Sequence, residues 1–97
     1  MDTNQLHLHA TLAEAQPLRY TPAGLPAIDI VLAHESVQSE AGGPRQVKLT
    51  AKAIAFGTLA ERLARQAVGS QWRFGGFMAA GRNGKGLVFH IQDMQQE

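Results

Sequence analysis

The chain has 97 residues, 44% of them hydrophobic and 18% charged, with a net charge of +1 and no cysteine. That length suits one domain, spanning residues 1–97, with a modest core, and the composition excludes a disordered or fibrous chain. The lack of cysteine excludes disulfides, a thiol nucleophile and thiolate zinc sites, and no apolar run nears the ~20 residues of a membrane span.

Leu6, Leu8, Ala10 and Leu12 alternate with His7, His9 and Thr11, the period of a strand with one apolar face. The stretch PLRYTPAGLP (17–26) follows, and its prolines and Gly24 read as a turn around Arg19 and Tyr20. AIDIVLAHES (27–36) alternates again and predicts a second strand. VQSEAGGP (37–44) is polar, ends in Gly-Gly-Pro and reads as a loop. RQVKLTAKAIAF (45–56) predicts a third strand, with Val47, Leu49, Ala51 and Ala53 on one side and Lys48, Thr50 and Lys52 on the other. The period then changes: Leu59 and Leu63 stand four apart beside Ala60, Ala64 and Ala67. Thr58 and Glu61 have capping-box spacing and Gly69 suits a left-handed terminus, so a helix is predicted over 58–67. SQWRFGGFMAA (70–80) reads as a fourth strand, with a bend or bulge at Gly75-Gly76. GRNGKG (81–86) is a hairpin loop with Asn83-Gly84 as its turn signal, and Leu87, Phe89 and Ile91 mark a fifth strand.

The predicted class is all-β: a five-stranded OB-fold barrel with one short α-helix between strands 3 and 4. Barrels of this kind bind their ligand on the face of strands 2 and 3, flanked by loops 1–2 and 4–5. That rule selects Arg19 and Tyr20 in the first loop, Lys48, Thr50 and Lys52 on the third strand, and Arg82 and Lys85 in the last loop. The charge pattern agrees. Residues 1–40 hold one basic residue, Arg19, against five acidic ones, whereas residues 41–97 hold eight basic against three acidic. Such asymmetry suits a polyanion, with a merely solvated basic surface as the plain alternative. At strand rise, Lys48 and Lys52 stand roughly 13 Å apart, a spacing that serves alternate phosphates of an extended strand.

Each candidate has a structural competitor. Tyr20 either stacks a base or closes the barrel end with its hydroxyl bonded to the loop. Arg19 is expected to contact phosphate, with Glu14 and Asp29 as competing ion-pair partners. Trp72 shares a face with Phe74 and is expected in the core or an interface, against a competing role as a stacking platform; Phe77 has the opposite parity unless the glycine bulge reverses it. His7 and His9 share one strand face, but no third ligand is fixed beside them and no metal site is expected. There is no G-x-S-x-G, P-loop or G-x-G-x-x-G, and the carboxylates form no evident acid/base pair, so neither an enzyme nor a cofactor is expected.

RYTPAG (19–24) in the first loop and AFGTLAERL (55–63) at the junction of strand 3 and the helix resemble signatures of the bacterial single-stranded-DNA-binding proteins. The resemblance covers roughly residues 4–94. PLRYTPAGLP, LAHESVQSEAG and Arg45-Gln46 are more similar to the primosomal replication proteins of that family. No long acidic-tipped tail follows DMQQE, which also points to the primosomal branch, and MDTNQLHLHA lacks the pattern of a signal peptide.

The resemblance implies a cytoplasmic homodimer that binds single-stranded DNA and the primosomal restart helicase. It implies a role in stabilising that helicase on DNA, among other primosome proteins, and in promoting replicative helicase loading. Site residues implied by it are Arg19, Tyr20, Arg45, Lys48, Thr50, Lys52, Arg82 and Lys85 for DNA, and Leu6, His7, Leu8, His9 and Leu12 for the dimer contact. One departure stands out: better-known relatives carry aromatic rings on the strand 2–3 face, where this chain has Val37, Gly43, Lys48 and Thr50. A more electrostatic and weaker mode of binding follows. The competing functions are a protein–protein adaptor with little nucleic-acid binding and a general single-stranded nucleic-acid-binding protein, of DNA or RNA.

Overall fold

The computed structural model describes residues 2–96. Its elements are β1 (Leu6–Ala15), β2 (Arg19–Tyr20), β3 (Pro26–Glu40), β4 (Gly43–Phe56), α1 (Thr58–Ala64), β5 (Gln71–Ala80) and β6 (Leu87–Gln96). The sheet runs β1-β5-β6-β4-β3-β2, and an additional β1–β3 pairing closes it into a five-stranded barrel with the two-residue β2 appended. The predicted order of strands and the helix between the third and fourth long strands are both present.

Alternation along each strand sends one side chain set inward. Leu12, Ile28, Leu32, Phe74 and Phe89 meet in the centre, and Leu63 of α1 seals one end. Trp72 and Phe74 are both buried, as their shared parity predicts. The Trp72 indole N–H donates to Ser70 Oγ at 2.9 Å, and the Arg62 guanidinium lies 5.4 Å from the indole ring. The register of β5 on β6 shifts between Gly75 and Gly76. A Cβ at Gly76 would collide with the His90 carbonyl, so only glycine fits where the two backbones close up.

Three expectations need correction. The stretch 37–44 is not a loop: β3 and β4 pair continuously from Ala27–Phe56 to Glu40–Gly43. Only Ala41 and Gly42 turn the chain, with φ of 53° and 80°, the two positive values of a type I′ hairpin. Beyond Ala33 on β3 and before Ala53 on β4 no further strand among the described residues flanks this pair, so it leaves the barrel as a two-stranded ribbon. Both faces of the ribbon meet water, which removes the apolar alternation that marks a strand in sequence.

The helix is the second correction: it ends at Ala64, not at 67. The chain beyond it is drawn to β1, where Gly69 N–H donates to the Leu12 carbonyl and Leu12 N–H to the Ser70 carbonyl. The third is the capping box. Gly57, at φ 73°, takes the N-cap position with no side-chain cap bond, and the Glu61 N–H donates to the Gly57 carbonyl.

Candidate nucleic-acid interface

The β3–β4 register decides which side chains share a face. Asp29, Val31, Ala33, Glu35 and Val37 stand opposite Ile54, Lys52, Thr50, Lys48 and Gln46. Lys48, Thr50 and Lys52 therefore lie together on the outer face, as their alternation predicts. Arg45 stands opposite Gln38, in the alternate set with Leu49 and Val47, and so points from the other face of the ribbon. It pairs at 3.5 Å with Glu40 and does not join the three.

A groove of about 480 Å³ runs between this outer face and the loop joining β5 to β6. Lys52, Arg82 and Lys85 line it, together with Glu14, Asp29 and Val88. Asn83 and Gly84, at φ 64° and 68°, turn that loop and carry Arg82 and Lys85 to the rim. None of these three cations has an ion-pair partner among the described residues. Lys48 is less free: its ammonium lies 3.5 Å from Glu35, although both side chains are well exposed and such a pair contributes about 0–1 kcal/mol. Lys48 and Thr50 line a second groove of about 560 Å³ with His9, Thr11 and His34, where β1 and the ribbon diverge. His34 bridges that gap: its Nδ1 donates to the His9 carbonyl at 2.6 Å and its Nε2 meets Ser36 Oγ at 2.8 Å.

The first loop divides its two candidates. The Arg19 Nε–H donates to Asp29 Oδ2 at 2.8 Å, and this carboxylate raises the guanidinium pKa, first by the hydrogen bond and then by its charge. The ion pair that competes with a phosphate contact is thus present. Tyr20 follows Arg19 in the short ladder and takes its other side. Tyr20 is 63% exposed and its hydroxyl has no partner among the described residues, so it does not plug the barrel. Neither residue lines the groove that holds Lys52, Arg82 and Lys85.

Aromatic rings line the outer side of the barrel at the end of β4. Phe56 continues the row of Lys48, Thr50 and Lys52 at the end of β4 and is 38% exposed. Ile54 stands beside His90 in the parallel β4–β6 pairing, and His90 stands opposite Phe77 on β5. The Phe77 and His90 rings stack at 4.9 Å, and Phe56 lies 6.1 Å from His90. This aromatic strip adjoins the groove, because Val88 and His90 project from one side of β6. A signal for it exists in the sequence: Phe56 has the same parity as the lysines, and Phe77 has the parity opposite to Trp72 and Phe74, which the register shift at Gly75-Gly76 leaves unreversed along β5.

Among the residues expected at a dimer contact, Leu12 is completely buried within the single chain, so its side chain is not available to a second copy. Leu6 and Leu8 are partly buried against the core, and His7 is exposed. β1 pairs with β3 only from Thr11 onward, which leaves the edge over Leu6–Ala10 without a strand among the described residues.

A family model described as "Another single-strand binding protein family" matches residues 4–93. The replication restart protein PriB of Bordetella pertussis is 43% identical over 96% of this chain and 88% of its own length. PriB of Nitrosomonas europaea is 36% identical over 96% of this chain and 87% of its own. The structure of PriB from Ralstonia solanacearum superposes with a TM-score of 0.91 at 38% identity, over 99% of each chain. The single-stranded DNA binding protein of Thermus aquaticus shares the fold, with a TM-score of 0.75 at 24% identity over 96% of this chain and 49% of that one. With a family model spanning nearly its whole length and such relatives above 30% identity, this chain belongs to the single-strand binding protein family, alongside the PriB replication restart proteins.

Proposed function

We propose that the protein binds single-stranded DNA during replication restart, as a binding partner and not a catalyst. The observation that carries this reading is the outer face of β4 and β6. Unpaired Lys52, Arg82 and Lys85 line one groove, and the strip of Phe56, His90 and Phe77 adjoins it. Cations track the phosphates and exposed rings stack the unpaired bases, the two contacts a single strand requires. Lys48 and Thr50 extend the basic row along the ribbon. Arg19, Tyr20 and Arg45 lie outside the groove, so Tyr20 and Arg45 reach DNA only where the strand passes around the β2 edge or the ribbon.

In this reading the protein is a cytoplasmic homodimer whose open β1 edge, with Leu6, His7, Leu8 and His9, lies at the two-fold contact. It holds the restart helicase on DNA at abandoned forks and promotes loading of the replicative helicase. Against the adaptor reading stands the exposed ring of Phe56 at the end of β4, with the half-buried Phe77 and His90 beside it.

The test is a titration of labelled single- and double-stranded oligonucleotides at several salt concentrations, with light scattering for the assembly. Four to six phosphate contacts give a log–log salt slope of about −3 to −4 for single strands. The dimer elutes at twice the 10.5 kDa chain mass. Equal affinity for duplex, or no dependence on salt, rejects the DNA reading. With DNA binding absent, a Lys48→Ala/Lys52→Ala variant that loses the helicase restores the adaptor.

A further inference from the structure

We propose that Arg19 serves the DNA groove indirectly, by cancelling the charge of Asp29, and does not itself hold a phosphate. The inference rests on the reading of the groove as a nucleic-acid site. Asp29 lines that groove beside Lys52, whereas Arg19 does not. The β2–β3 register sets Arg19 opposite Ala27, two residues from Asp29 on the same side of the ladder, and the guanidinium closes on the carboxylate at 2.8 Å. A bare carboxylate at this position would face the same phosphates that Lys52 attracts. Arg19 removes that repulsion, and its own charge is committed in doing so. Glu14, the other carboxylate of the groove, has no such partner among the described residues.

This role has a consequence that a single substitution hides. Arg19→Ala uncovers Asp29 and weakens DNA binding, just as removal of a direct phosphate grip would. At a separation of roughly 7 Å in water, one unpaired charge changes affinity about threefold. The two roles part in the double variant. If Arg19 acts through Asp29, Arg19→Ala/Asp29→Asn removes a neutral pair and returns to wild-type affinity. If Arg19 grips a phosphate through its free Nη groups, the double variant stays as weak as Arg19→Ala.

The experiment is a four-member cycle of wild type, Arg19→Ala, Asp29→Asn and the double variant, titrated with a labelled oligothymidylate at three or more salt concentrations. The expected result is a loss of about threefold for Arg19→Ala and a gain of about threefold for Asp29→Asn at low salt. The double variant is expected within about twofold of wild type, with its salt slope unchanged. A double variant that remains weak, with a slope shallower by about 0.7, the share of one single-strand phosphate contact, overturns the proposal. Arg19→Gln/Asp29→Asn keeps a hydrogen bond between the two side chains and repeats the comparison if the alanine variant fails to fold. Wild-type protein that binds no oligonucleotide overturns the functional reading itself, and this inference with it, which distinguishes the two failures.

Discussion

Replacing Lys52, Arg82 and Lys85 together by alanine removes the three unpaired cations of the groove. Each phosphate contact on a single strand contributes about 0.7 to the log–log salt slope, so the triple variant should be shallower than wild type by about 2. Between 50 and 200 mM salt, the ratio of wild-type to variant affinity then shrinks about twentyfold. The three side chains are exposed and bond to nothing else among the described residues, so the denaturation midpoint should hold to within ~0.5 kcal/mol of stability. Fluorescence anisotropy of a labelled oligonucleotide at four salt concentrations reads the slope directly. An affinity loss that is the same at every salt concentration refutes the reasoning: the three side chains would not be meeting phosphates, and the groove would not be where the backbone runs.

Phe56→Ala should weaken single-strand binding by about fivefold or more, from a stacking contribution of about 1–3 kcal/mol, with an unchanged salt slope in the same titration. Tyr20→Ala should cost less, because Tyr20 stands apart from the groove; an equal or larger loss would move the DNA path around the β2 edge. Gly76→Ala should destabilise the fold by about 1–3 kcal/mol in urea denaturation, since its Cβ meets the His90 backbone. Leu12→Ala should cost about 2–5 kcal/mol in the same assay, as a side chain with no exposed surface leaves a cavity.

Elements with one buried and one wet face are legible in the sequence. The inward rows of β1, β3 and β5 and the lysine face of β4 follow from alternation, and the Gly75-Gly76 bulge from its two glycines; on β6 alternation gives Phe89 and Ile91 but not the exposed Leu87 or the buried Met94, which the register shift turns inward. Alternation fails where both faces are solvated, and residues 37–44 therefore read as a loop although they pair almost to the tip. Short-range capping rules fail at Thr58 because Gly57 already turns the chain with its positive φ. Site residues that depend on distant partners are the least accessible. The bond from Arg19 to Asp29 needs the β2–β3 register, and the stacking of Phe77 on His90 needs the bulge and the β5–β6 pairing. Phe56 is within reach of parity alone.

The ribbon beyond the barrel is also a hazard. Its two strands present open backbone edges from His34 to Glu40 and from Gly43 to Lys52, the kind of template on which other chains aggregate. Pro44 removes one donor near the tip, and Glu35, Arg45, Lys48 and Lys52 place charge along both strands. The same charges would then also act as gatekeepers of solubility. A ribbon stripped of Arg45, Lys48 and Lys52 should precipitate while its barrel remains folded, so colloidal stability by itself constrains the charge on this short run of β4.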